Sequence, residues 1–194
     1  IGKERVIWRF DPVLLGKGID VPEILRRIRA IGQRLYPYTE RLVFSFLDMY
    51  ASTRRFLSQA GPIFRAPTKK EQYAIASGIA ELNQGWNLEL RTCAEALDVS
   101  DAGVLPNRCI EPALIRRLCP SEPEVLHFCD RAYAQDQFAL PGISERDAPK
   151  DTAQRELCGC APSRDIGTYN TCGHACAYCY AQTHSGEQRP GKLR

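Results

Sequence analysis

The chain has few of the features that would tie it to a membrane, a nucleic acid or a secreted scaffold. Its longest apolar runs are a few residues, against the ~20 needed to cross a bilayer. No signal peptide opens it, and no internal repeat marks a solenoid or array. A formal net charge of +3 over 194 residues is too small an excess to grip a phosphate backbone, so neither nucleic acid nor a membrane is an expected partner. An initiator methionine is missing as well. The chain starts at Ile1 and runs almost at once into a buried-looking strand, which reads as a fragment or a processed product.

What the chain does have is a 44% apolar content, enough for a sizeable core in one domain, and 9 cysteines. An odd count, clustering near the end and a length above the small-scaffold range argue against a disulfide framework. Reduced thiols serving a metal in the cytoplasm fit better.

The first part of the chain alternates strand and helix patterns. Arg5 to Phe10 is β-rich and meets Asp11-Pro12, where proline removes a donor and is expected to stop the ladder. Asp20 and Glu23 form an N-terminal cap for a helix with Ile24, Leu25, Ile28, Ile31 and Leu35 at helical spacing. The arginines at 26, 27, 29 and 34 then read as its solvated side. Arg41 to Leu47 is a nearly continuous apolar run, the pattern of a strand covered on both faces. After a short polar connection, Thr68 and Glu71 form a capping box for a helix with Ile75, Ile79 and Leu82 on one face, stopped near Gly85. Trp86 to Thr92 alternates as a third strand.

Strand, helix, strand, helix, strand implies a parallel sheet, either part of a (β/α) barrel or an open doubly wound sheet. The expected fold is α/β, a partial, barrel-like parallel sheet over residues 1–149, followed by a cysteine-rich tail over 150–194. In both architectures ligands lie at the C-terminal ends of the strands. Asp11, Asp48, Cys93 and Glu95 all fall there, so the three carboxylates are the candidate catalytic groups. The bland reading of each is a cap or turn residue. Farther on, helices are expected from Pro112 to Leu118 and after Ser121, with Cys119 and Cys129 as ordinary helix thiols. Residues 140 to 154 read as a surface connection.

The tail concentrates the chemistry. Cys172, Cys176 and Cys179 are spaced C-x3-C-x2-C on a turn-prone segment, so their thiolates can converge on one iron–sulfur or zinc centre. Three thiolates are one short of a closed site. The fourth ligand is His174, His184, Cys158 or Cys160, or else one metal stays open. Setting aside Cys119 and Cys129 leaves Cys93, Cys109, Cys158 and Cys160, the number that closes a second, four-thiolate centre, a cluster or zinc. The alternative is that Cys93 and Cys109 are buried thiols and the Cys158 and Cys160 pair merely flanks the triple.

Tyr178 immediately before the third cysteine adds an aromatic, and Cys172, Cys176, Tyr178 and Cys179 together resemble the C-x3-C-x-aromatic-C motif of radical S-adenosylmethionine enzymes. That resemblance implies a [4Fe–4S] cluster, S-adenosylmethionine on its open iron with Tyr178 beside the cofactor, an electron donor and an unidentified substrate. In those enzymes the motif follows the first barrel strand, whereas here 15 residues follow Cys179. Either the tail docks on the barrel mouth or the cluster does something else. A tail used only for electron transfer or as a structural zinc module is the non-catalytic alternative. More widely, the stretches from Arg5 to Leu15, Val43 to Tyr50, Thr92 to Glu95 and Cys158 to Ala181 resemble the prokaryotic family called domain of unknown function 1848. Membership implies a cytoplasmic, barrel-type protein with a cluster-binding tail and N-terminal strand and helix units ahead of Ile1.

Overall fold

The run Arg41–Phe46 is the centre of the molecule: all six residues are buried, because an apolar strand with partners on both edges and layers on both faces has no side left for water. In the computed structural model, which describes residues 1–61, 63–137, 154–163, 166–174, 176, 178, 179 and 181, this strand (β3) lies between β1 (Ile7–Val13) and β5 (Glu89–Thr92). A short β6 (Leu105–Pro106) extends the sheet on the far side of β5. All three pairings are parallel, with Trp8 beside Leu42, Leu42 beside Leu90, and Thr92 beside Pro106. Each new strand adds on the same side of the last, in the order β1-β3-β5-β6. That is the winding of a barrel rather than the reversed order of a doubly wound sheet, and it remains an open sheet over these four strands.

Parallel neighbours need crossovers, and the helices supply them. Helix α1 (Val21–Leu35) starts where the Asp20 carboxylate accepts the Glu23 backbone N–H at 2.9 Å. The Glu23 side chain turns instead to Arg26 and Arg27. Helix α3 (Lys69–Asn83) carries the complete reciprocal cap between Thr68 and Glu71 and ends ahead of Gly85. Ile24, Ile28, Ile75 and Ile79 enter the core from these helices. Ile31 and Leu35 are about a third exposed, because the buried stripe shifts to Gly32. A Cβ there would lie 2.3 Å from the Trp86 ring, so glycine lets the indole, itself tilted against Trp8 at 5.8 Å, close that end of the core.

Three expectations need correcting. Pro12 does not stop β1: pairing resumes at Val13 beside Phe46 after an irregularity that starts at Phe10, since an edge strand tolerates one missing donor. Trp86 and Leu88 are buried in alternation as the pattern implies, yet the ladder begins only at Glu89. The polar connection after Asp48 contains a helix, α2 (Ala51–Ala60), whose cap residue Tyr50 makes no side-chain bond to it. A two-stranded antiparallel pair, β2 (Leu15–Gly16) with β4 (Phe64–Arg65), also went unforeseen. Helices α4 (Pro112–Leu118) and α5 (Pro123–Gln137) follow, with Cys119 closing α4 and Cys129 fully buried. Among the described residues no helix is long and apolar enough to cross a membrane. Residues 140–153 of the expected 140–154 surface connection, the 149/150 boundary and His184 lie outside the described residues.

Candidate functional site

Because the strands are parallel, their C-terminal ends deliver side chains to one edge of the sheet. From β1 come Arg9 and Asp11, joined at 2.5 Å. Ser45 of β3 donates its hydroxyl to the other Asp11 oxygen. Past β3 stands Asp48, and past β5 stand Cys93 and Glu95. Glu95 accepts the Phe46 backbone N–H at 2.8 Å. Beyond β6, Asn107 continues the ladder by donating its N–H to Thr92 at 2.7 Å. Two residues on, Cys109 lies beside Cys93 with the sulfurs 3.4 Å apart. Asp11, Asp48, Glu95 and Cys93 therefore stand at one end, where the βαβ pattern puts them, and the unforeseen β6 brings Cys109 there as well.

The tail comes to the same end. Arg155 donates to Asp48 at 2.6 Å, to the Cys93 carbonyl at 2.8 Å and to the Cys93 sulfur at 3.3 Å. A turn from Arg155 to Cys158 leads into a backbone bond from Ala161 to the Ile110 carbonyl at 3.0 Å. That bond holds Cys160 where its sulfur accepts the N–H groups of Cys109 at 3.0 Å and Ile110 at 3.4 Å. The Cys160 thiol also interacts with those of Cys109 and Cys158. Farther along, the Tyr178 ring meets Phe64 of β4 edge-on at 6.4 Å. Cys172 is exposed, while Cys176 and Cys179 are half-buried, with the Cys179 N–H on the Cys176 carbonyl at 2.9 Å. His174 is exposed. Among the described residues no three His, Cys, Asp or Glu side chains already stand around one point as ligands of a metal ion.

Burial pushes the Glu95 carboxyl up to about 7; the Phe46 N–H opposes the shift and the nearby Asp48 charge adds to it. The Cys93 thiol is pushed well above its ordinary range by its hydrogen bond to Cys109 and by burial. Cys160 is lowered by its bond to Cys109. Tyr178 is raised by burial, by the Cys176 and Cys179 sulfurs and, least, by the Asp11 charge.

Sequence reasoning missed Arg9, Ser45, Asn107 and Arg155. Arg9 carried a signal, a charge between Trp8 and Phe10 two residues before Asp11. Nothing local marks Arg155. A cavity of about 330 Å³ opens elsewhere, at the N-terminal ends of the strands, lined by Glu40, Arg41, Glu89 and Glu111 among others. That end is the one that serves stability in parallel α/β proteins, and its charges are paired with one another.

Fold and site together define a parallel α/β protein whose cysteine-bearing tail returns to the C-terminal edge of its own sheet. The chain belongs to the family Domain of unknown function (DUF1848), whose sequence model matches residues 1–181. Comparisons with curated proteins and with solved structures gave no match.

Proposed function

We propose that this is a cytoplasmic iron–sulfur enzyme of radical S-adenosylmethionine type, acting on a substrate held at the C-terminal edge of the sheet. The reading is carried by Tyr178. The aromatic residue of the C-x3-C-x-aromatic-C segment meets Phe64 of β4 edge-on, and β4 pairs with β2, which follows directly on the C-terminal end of β1, the edge where parallel α/β proteins bind ligands. The donor set fits the group, since thiolates are the ligands iron–sulfur clusters take. Cys172, Cys176 and Cys179 would hold a [4Fe–4S] cluster with one iron open to S-adenosylmethionine. When bound and reduced by an external electron donor, that group supplies reductive cleavage of S-adenosylmethionine and, through it, hydrogen abstraction from a substrate.

The chain's own residues set the surroundings. Tyr178 and Phe64 shield one side from water. Asp11, gripped by Arg9 and Ser45, and Asp48, gripped by Arg155, are fixed acceptors for polar groups of a substrate. Glu95, poised at about 7 by burial, can hold or release a proton at its carboxylate near neutral pH.

The test is anaerobic reconstitution with iron and sulfide, followed by reduction in the presence of S-adenosylmethionine. The expected result is 5′-deoxyadenosine, and its loss together with the iron in Cys176→Ala. A cluster that assembles and reduces without releasing the nucleoside would make the tail an electron-transfer module. Zinc in place of iron on the triple would make it a structural one.

A further inference from the structure

Four of the remaining cysteines form a chain of neighbours where the tail joins the sheet, apart from the triple: Cys93 beside Cys109, Cys109 beside Cys160, and Cys160 beside Cys158. Cys93 and Cys109 come from the ends of adjacent strands, and Cys158 and Cys160 from the loop that Ala161 pins to Ile110. Three of the four sulfur atoms accept hydrogen bonds from nitrogen donors of the surrounding chain. Cys109 accepts from an Arg9 guanidinium nitrogen at 2.8 Å and from the Asn107 amide at 3.3 Å. Cys160 accepts from two consecutive backbone N–H groups, and Cys93 from Arg155 at 3.3 Å. Donors aimed at sulfur are the outer shell of metal-bound thiolates, which they orient and partly neutralise.

The spacing points to one ion. Two thiolates at about 2.3 Å from a tetrahedral zinc stand roughly 3.8 Å apart, and the Cys93 and Cys109 sulfurs are 3.4 Å apart. A disulfide requires about 2.05 Å. In a cubane cluster each thiolate sits on its own iron, which would spread such a pair. One divalent ion with four thiolates carries two negative charges, and the guanidiniums of Arg9 and Arg155, each shared with a carboxylate, face the group and donate to its sulfurs. We propose that Cys93, Cys109, Cys158 and Cys160 close around a single zinc ion that staples the tail to the C-terminal ends of β5 and β6. Cys109 is exposed and Cys158 and Cys160 are half-buried, so the ion enters from the solvent side and the loop at Cys158 closes over it.

This centre does not depend on the cluster, and the experiment separates the two. The full chain carrying Cys172→Ala, Cys176→Ala and Cys179→Ala together is purified without oxygen, and zinc, iron and sulfide are measured. About one zinc per chain is expected, with no iron. Titration of the metal-free form with cobalt(II) should then saturate near one equivalent and give the intense visible bands of a tetrahedral tetrathiolate. Adding Cys158→Ser and Cys160→Ser should abolish both signals. The cobalt titration needs no change at the site, so it decides the matter even if that last variant fails to fold. A folded triple-alanine protein without the tetrathiolate bands overturns the proposal. So does iron with sulfide in that protein, zinc retained after the Cys158 and Cys160 replacements, or a Cys93–Cys109 disulfide in its peptide map.

Discussion

The two ends of the parallel sheet both gather arginines, and they differ in what the guanidiniums face. At the N-terminal end Arg41, with its side chain 11% exposed, sits between Glu89 at 2.5 Å and Glu111 at 2.7 Å, and Arg91 pairs with the same Glu89. Every charge there has its opposite, so the end is closed electrostatically. At the C-terminal end Arg9 and Arg155 divide their donors between a carboxylate and a cysteine sulfur. There the protein keeps a carboxyl raised to about 7 by burial and the Cys93 and Cys109 sulfurs 3.4 Å apart, an arrangement that costs stability. A buried charge is therefore not in itself a functional sign. What separates the ends is whether its partners are satisfied within the fold.

The largest expected effect tests the closed end. Arg41→Ala leaves Glu111 without its main partner in a largely buried setting and Glu89 with Arg91 alone, and should destabilise the protein by about 3 kcal/mol in urea unfolding. Arg155→Ala at the open end should cost less than about 1 kcal/mol, because its side chain is 33% and its Asp48 partner 48% exposed. Equal losses would erase the distinction between the ends.

A smaller effect comes from Glu95. Its carboxyl is raised from 4.5 to about 7 in the folded protein, so the folded state binds the proton more tightly than the unfolded one. Stability from this group is full below about pH 4.5 and is lost as pH rises through about 7. After allowance for partial solvent exposure this amounts to roughly 1 kcal/mol. The wild type minus Glu95→Gln difference in unfolding free energy should fall over that window. A flat difference would mean that Glu95 is solvated like an ordinary surface glutamate.

The smallest change in stability, a few tenths of a kcal/mol, is expected for Asp48→Asn, while its iron and sulfide content stays that of the wild type. Substrate-dependent turnover should fall all the same, because the change removes the charge at the open end. Loss of folding instead would make Asp48 a structural partner of Arg155.

Periodicity was enough for the elements that carry the core. The apolar run at 41–46, the cap at Asp20, the capping box at Thr68 and Glu71, and the proline opening α4 each declare themselves within a few residues. Helix α2, whose cap makes no side-chain bond, and the two-residue strands β2, β4 and β6 are too weakly marked or too short for any period to register. The Asp11-Pro12 pair misled for a related reason: proline forbids one donor, and only the neighbouring strand determines whether the ladder resumes.

For the site, the sequence alone determined which residue types were present and at what spacing. The C-x3-C-x2-C triple, the carboxylates just past apolar strands and the four leftover thiols are all local or countable features. Which thiols meet was decided by tertiary structure. Cys93 and Cys109 become neighbours because β5 and β6 pair, and Cys160 joins them because the tail bonds to Ile110 from 51 residues away. That Arg9 and Arg155 face those sulfurs was decided there too, since a guanidinium's distant partner is set by the folded path of the chain.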